Sequence, residues 1–366
     1  MIKRSADLFL LLSTLVVILF SSCETEVELL APYDETPVIY GILDFTADTQ
    51  FVRINKTFLG QGDPSQYSQI KDSVEYDPAD VVAVINKYDD RGNLLSTFPL
   101  EPIDKPSREP GIFYAEDVRF YYTAAQLLTD DEQSNQEDFF FELSANIKGE
   151  VYSAETRFPG LSGNTIQRPE FTGNGAPVRM FFVLPGVNLN FSSETFRFTT
   201  DEFTASYSAT YRMYFDYVTN DGTRVEGAFI DYEMGDFSNE QLASLNEIPI
   251  SVFGENLYTF WGNQFDLIPD LADVEIEVLE FRLAGATPEL NTYLEVSQPV
   301  SQFTPVLSSF TNLSNGAIGL FSSVATQTRL TYLSERSLEK LNVSPLTNSY
   351  NFCVQDWSNS EYVCTP

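Results

Sequence analysis

The stretch Tyr207-Ser208-Ala209-Thr210-Tyr211-Arg212-Met213-Tyr214-Phe215-Asp216-Tyr217 decides the fold class. Tyr207, Ala209, Tyr211, Met213, Phe215 and Tyr217 fall on one face of an extended chain. Ser208, Thr210, Arg212 and Asp216 fall on the other. A repeat of two residues gathers one apolar face on a strand and scatters it around a helix, so this segment is a half-buried β-strand. Asn220-Asp221-Gly222 follows as a hairpin turn and returns the chain into Arg224 to Tyr232.

Downstream, Val274, Ile276 and Val278 alternate with Glu275 and Glu277, and the apolar parity then shifts to Leu279, Phe281 and Leu283. One extra residue in a strand causes such a shift, which predicts a β-bulge near Val278. Short helices are expected between these strands. Ser238 with Gln241 forms a capping box, Thr287-Pro288 is an N-cap followed by proline, and Ser334 caps Glu335 to Leu341.

Upstream the β signal continues. Val38 to Leu43 is an apolar run, Phe51 to Phe58 alternates, and Val81 to Ile85 reads as a strand buried on both faces. Asp89-Asp90-Arg91-Gly92-Asn93 turns into Leu94 to Leu100. Gly111 to Ala115, Phe139 to Ile147 and Val151 to Phe158 are further strands, the last two joined by Lys148-Gly149. One helical turn is expected over Thr123 to Leu128, and Asp130 to Asp138 is read as a solvated acidic loop, with calcium binding as the sharper alternative. Pro159-Gly160 through Pro177 is rich in Gly, Pro, Asn and Ser and marks a domain boundary. The expected fold is therefore mainly β: an N-terminal Ig-like β-sandwich over 37–160, then a β-rich domain with short inserted helices over 161–366.

Composition removes whole classes of chemistry. With 43% hydrophobic residues, including 30 Phe and 19 Tyr, the chain is too apolar to stay disordered. A formal charge of −32 repels nucleic acid. The absence of histidine excludes Ser-His-Asp and Cys-His catalysis and His-ligated zinc. No phosphate-cradling glycine loop or nucleophile elbow is present, and nothing calls for a cofactor. Paired carboxylates can hydrolyse glycosides, but among 53 acidic residues some pair is always at hand, so the observation favours no site.

The N-terminus carries Lys3 and Arg4, an apolar run from Leu8 to Phe20, and Ser21-Ser22-Cys23. This is a secretory leader over residues 1–22, too short to span a membrane as a helix. Leu19-Phe20-Ser21-Ser22-Cys23 resembles a lipobox, which makes Cys23 the lipidation site; an ordinary signal peptide with a chance cysteine is the alternative. Residues 23–36 then form an acidic tether, reaching at most about 45 Å at 3.3–3.6 Å per residue. Lipidation of Cys23 leaves Cys353 and Cys364 as an even pair in an oxidising compartment, read as a disulfide, with a reactive or metal-binding thiol pair as the alternative.

The layout resembles a family of Bacteroidota outer-membrane lipoproteins of unknown function. The resemblance rests on the Ser-Ser-Cys leader, on Pro37-Val38-Ile39-Tyr40-Gly41-Ile42-Leu43, and on the strand turning into a short helix between Val278 and Leu294. It rests also on Phe303-Thr304-Pro305 through Asn312 and on Asn315-Gly316-Ala317-Ile318-Gly319-Leu320-Phe321. It implies two β domains and gene neighbours among TonB-dependent receptors. Glu24 and Glu26, split by Thr25, resemble that phylum's surface-export signals, so the cell surface is the expected location. Asp72-Ser73-Val74 matches the phylum's short O-glycosylation pattern at Ser73.

The expected function is a non-enzymatic binding or accessory subunit of an envelope complex with an outer-membrane β-barrel partner, with nutrient uptake as the expected setting. The alternatives are a secreted glycan-processing enzyme and a structural envelope lipoprotein. Phe303, Phe310 and Trp261 are the candidate partner contacts, weighed against a core role for the aromatics.

Overall fold

The computed structural model describes residues 35–58, 64–105, 111, 114–161, 165–170, 172, 176–184, 186, 188–238, 247–297, 310–356 and 361–364. The first half runs β1 (Pro37–Asp44), β2 (Gln50–Lys56), α1 (Pro64–Tyr67), α2 (Lys71–Val74), β3 (Val81–Asp89), β4 (Leu94–Lys105), β5 (Val118–Thr123), β6 (Phe139–Ile147) and β7 (Glu150–Arg157). Then come β8 (Ile166–Arg168), β9 (Val178–Met180), β10 (Ser193–Thr199), β11 (Ser206–Thr219), β12 (Arg224–Ser238) and β13 (Glu247–Phe253). The chain continues with α3 (Gly254–Phe265), β14 (Leu271–Ala286), α4 (Pro288–Ser297), β15 (Ile318–Leu333), α5 (Glu335–Val343), β16 (Asn351–Asp356) and β17 (Glu361–Cys364).

The fold is mainly β and is built on one long sheet of order β12-β11-β14-β15-β1-β2-β5-β4-β3-β6-β7. Strand β4 belongs to two layers: its residues up to Leu100 pair with β3, and those from Glu101 pair with β5. The sheet thereby folds over on itself. Ile39, Val52 and Tyr121 from one layer and Ile85, Leu143 and Ala154 from the other share one core, so the N-terminal part is a β-sandwich.

A second core forms where the three-stranded sheet β13-β10-β8 and helix α3 cover the apolar face of β11 and β14. Tyr207, Ala209, Tyr211, Met213 and Phe215 are buried there as the alternation requires, against Phe196 and Phe198 of β10. The expected bulge is present: Tyr214 pairs with Val278 but Phe215 pairs with Ile276. The β11–β12 turn is held by Asp221, whose carboxylate accepts from Thr219 Oγ1 at 2.6 Å and from the Thr223 N–H at 3.0 Å. Thr287 Oγ1 accepts from the Leu290 N–H at 3.4 Å at the start of α4, and Ser334 caps α5 through the Ser337 N–H. Gln241 lies outside the described residues, so the capping box beginning at Ser238 does too.

Strand β15 joins the two cores. Phe321 sits in the sandwich core, while Ala325 and Leu333 belong to the second. Its N-terminal half pairs in parallel with β1, from Val38↔Ile318 to Asp44↔Val324, and its C-terminal half pairs antiparallel with β14. The late segment read as similar to the lipoprotein family has a structural explanation here. The Asn312 side chain donates to the Phe321 carbonyl at 2.7 Å and accepts from its N–H at 3.0 Å, standing in for a strand partner. Asn315 and Gly316 make the turn at φ of 54° and 76°. Gly319 lies so close to β1 that a Cβ there would overlap the Ile39 carbonyl oxygen. Ser314 exchanges two hydrogen bonds with Ser153, its N–H donating to the Ser153 carbonyl and its Oγ accepting from the Ser153 N–H, each at 2.8 Å, which closes the sandwich against β7.

Four expectations need correction. β3 is buried on one face only, since Val82 is 67% exposed, so its apolar run marks one layer of a sandwich rather than a strand covered on both sides. Gly111, Tyr114 and Ala115 lie in no strand; the strand at that point in the chain is β5, where Val118 and Tyr121 are buried. No helix covers Thr123 to Leu128, because Thr123 ends β5 and Leu127 and Leu128 are drawn into the sandwich core. A 3-10 helical segment comes later, over Glu132–Asp138 inside the expected acidic loop, broken at Asn135, whose backbone is not helical. It is seeded by Glu132, whose carboxylate accepts from the Thr129 N–H at 2.8 Å and from Lys87 Nζ at 2.6 Å.

Candidate binding surfaces

Of the three expected partner contacts, Phe303 lies outside the described residues, as does Cys23, the expected lipidation site. Phe310 is half-buried, immediately ahead of the segment that closes the sandwich. Trp261 is a core residue: it is fully buried on α3, tilted against Tyr258 with ring centres 5.5 Å apart, and offers no surface to a partner. The weighing of core against contact therefore falls to the core. Leu257, Tyr258, Trp261 and Phe265 recur at one, three and four residues, the spacing of one helix face, and that signal would have found α3 from the sequence.

Ser73 sits on the short helix α2, partly exposed, between exposed Asp72 and buried Val74. Cys353 on β16 stands directly opposite Cys364 on β17 in an antiparallel pair. Tyr121 and Tyr258 are buried as well.

Exposed apolar surface gathers elsewhere. Val38, Tyr40 and Ile42 share the outer face of β1, beside Ile318 of β15, and helix α4 packs across the neighbouring positions. The Tyr40 ring meets Tyr293 of α4 edge-on at 6.0 Å. Ile42 and Leu294 are each 49% exposed, and Tyr40 and Ile318 are 37% and 36% exposed. Burial and the Tyr293 hydroxyl together push the Tyr40 phenol up to about 12, so it stays neutral on this strip. Exposed apolar side chains along one strand face of a protein this acidic are the kind of feature that marks a contact site.

A groove of about 380 Å³ runs between the sandwich and the second core. Arg157 lies over the rings of Phe140 and Phe203, at 5.4 and 5.8 Å, and donates to Asp90 at 3.2 Å. Glu155, Glu202 and Glu289 supply the carboxylates of its lining, and the glycan-processing alternative would draw on them. The open face of the large sheet is a network of charges: Arg212 binds Asp231 through two nitrogens, each at 2.6 Å, and also lies 4.0 Å over the Phe229 ring. The Asp231 carboxylate holds the Arg212 guanidinium well above its usual range, so the guanidinium stays charged.

Among the described residues no helix is long and apolar enough to cross a membrane. No family model matches the chain, and no curated protein matches it. Among solved structures, a chain titled "BspA_C_WT" aligns with 81% of this chain and 99% of its own length, at 9% identity and a TM-score of 0.13. A likeness that low supports no argument about fold or function.

Proposed function

We propose that this chain is a non-enzymatic outer-membrane lipoprotein, anchored through acylated Cys23, that serves as a binding or accessory subunit of an envelope complex. The partner is an outer-membrane β-barrel protein of the TonB-dependent receptor class, and the chain belongs to the Bacteroidota lipoprotein family it resembles. The observation that carries this reading is Ser21-Ser22-Cys23 directly after the apolar run Leu8 to Phe20. Acylation with more than one chain gives stable anchoring, and the short tether keeps the folded body beside the bilayer. Confinement there raises the effective concentration of membrane partners, so a modest contact suffices. The strip of Tyr40, Ile42, Ile318 and Leu294 supplies such a contact. Acidic residues after Cys23 favour display at the cell surface.

The same compartment favours a Cys353–Cys364 disulfide. Directly opposed residues of an antiparallel pair have Cα atoms about 4.5–5.5 Å apart, within the span of a disulfide. The cysteines of the mature protein should then resist alkylation until reduced. Labelled palmitate tests the anchor: it should enter the wild-type protein and not Cys23→Ala. Label retained in Cys23→Ala would refute the assignment.

A further inference from the structure

A polar cleft of about 520 Å³ opens on the sandwich between the end of β2, the α2–β3 connection, β5 and the β6–β7 turn. Four of the chain's few cationic side chains meet there: Lys56, Lys71, Arg119 and Lys148. Most are already satisfied. Lys56 and Lys148 both pair with Glu35 and flank the Tyr76 ring, each 5.5 Å from its centre. Arg119 binds Asp104 through two nitrogens at 2.8 and 2.9 Å and donates to the Tyr76 carbonyl at 3.2 Å.

The exception is Glu75, which is 4% exposed and lines the cleft. One carboxylate oxygen accepts from the Arg119 N–H at 2.8 Å. The other, Oε2, has no hydrogen-bond partner among the described residues. Its nearest cation, Lys71 Nζ, stands 3.8 Å away, beyond hydrogen-bond reach, and binds Asp104 at 2.9 Å instead. A buried carboxylate oxygen left unpaired is costly, so the gap between Glu75 and Lys71 is a place for a donor.

The chemistry of that donor follows from its neighbours. An ammonium or metal ion against Glu75 Oε2 would sit beside the Lys71 charge, with Arg119 and Lys148 lining the same cleft. An anion would instead face Glu75, Asp72, Asp77 and Asp80. A neutral hydroxyl suits both signs. Placed about 2.7–3.0 Å from each atom, it donates to the carboxylate and accepts from the ammonium; Glu75 Oε2 is itself closed to solvent, so the partly exposed Lys71 side chain must swing aside to admit it. We propose that this cleft is a binding site for a polyhydroxylated ligand, a saccharide, with one sugar hydroxyl bridging Glu75 Oε2 and Lys71 Nζ. Its volume lies within the roughly 300–1,000 Å³ of small-molecule sites. The assignment adds a ligand to the proposed function and stands whether or not the anchor or a barrel partner is found.

Isothermal titration calorimetry on the full chain in detergent tests it, with glucose, maltose and N,N′-diacetylchitobiose as probes and γ-aminobutyrate as a zwitterionic control. At least one sugar is expected to bind, and Glu75→Gln and Lys71→Met should each weaken it about ten-fold or more, since each removes a charged partner of the bridging hydroxyl. Lys71 is partly exposed, so Lys71→Met decides the question if Glu75→Gln fails to fold. A cleft that holds only water gives no heat with any sugar, which overturns the proposal. Sugar binding untouched by a folded variant, or binding of γ-aminobutyrate alone, overturns it equally. None of these outcomes depends on palmitate labelling, so failure here is distinguishable from failure of the lipoprotein reading.

Discussion

Gly319→Ala should be the most damaging single-methyl change in the chain's junction between its two cores. The backbone at Gly319 has φ of 130°, a left-handed conformation that a residue with a Cβ adopts at a cost of roughly 1–3 kcal/mol. The added methyl would also overlap the Ile39 carbonyl oxygen and lie 2.8 Å from the Ile39 carbonyl carbon. Both are backbone atoms of a paired strand, so no side chain can swing aside, and β1 must move away from β15. Overpacking of that kind adds about 1–3 kcal/mol, for a total of about 2–6 kcal/mol. Gly316→Ala is the matched control: its φ of 76° is also left-handed, but nothing lies within 4 Å of the added methyl. It should cost only about 1–2 kcal/mol. With a denaturant slope of about 3 kcal/mol per molar urea, a 4 kcal/mol loss lowers the midpoint by roughly 1.3 M, against about 0.3–0.7 M for the control. Urea unfolding followed by tryptophan fluorescence reads both. Equal midpoints for the two variants would refute the close parallel approach of β1 and β15.

Three further outcomes are expected. Asn312→Ala removes both hydrogen bonds to the Phe321 backbone and should cost about 1–3 kcal/mol in the same urea assay; an unchanged midpoint would show that the side chain is not the strand substitute described. Burial raises the Tyr211 and Tyr258 phenols far above their usual value, so their contribution is fully present below about pH 10 and is lost as pH rises beyond it. Alkaline unfolding should be steep and should flatten in Tyr211→Phe, which calorimetry at several pH values checks. The hydrogen bond from Arg119, helped by Lys71, holds Asp104 below the usual carboxylate range, so its contribution is present above about pH 4 and is lost as pH falls through the lowered value. Asp104→Asn should flatten the acid limb of a stability-against-pH curve, and an unaltered limb would count against that pairing.

How much of this was legible depended on whether a strand faced one apolar partner. β11 alternates because one face meets the second core, so Tyr207 to Phe215 could be read directly. The same signal lay in Ile248, Ile250 and Val252 of β13, though Pro249 beside them weakens it. β15 was hidden beyond Phe321 for a different reason. It passes between two cores with Ser322, Ser323, Gln327 and Thr331 buried, so its hydropathy gives it away only in part. Each polar group is satisfied from far along the chain: Gln327 accepts from the Ile166 N–H at 2.8 Å, and Thr331 shares a hydrogen bond with Tyr211 at 2.7 Å. No local rule foresees such partners. β5 escapes the sequence reading because Thr123 reads as the start of a helical turn, whereas pairing with β2 and β4 decides the conformation of this segment. The polar cleft was illegible for a similar reason, since Lys56, Glu75, Arg119 and Lys148 meet only after the sandwich has closed.

Native affinity purification from mild detergent, read by mass spectrometry, bears most directly on the proposed role. A β-barrel outer-membrane protein is expected to be enriched over an unrelated lipoprotein control. Ile42→Glu and Leu294→Glu, both on the exposed strip, should reduce that recovery while leaving the urea midpoint unchanged. Recovery of the chain as a lone monomer in several detergents, with no barrel enriched, would contradict it.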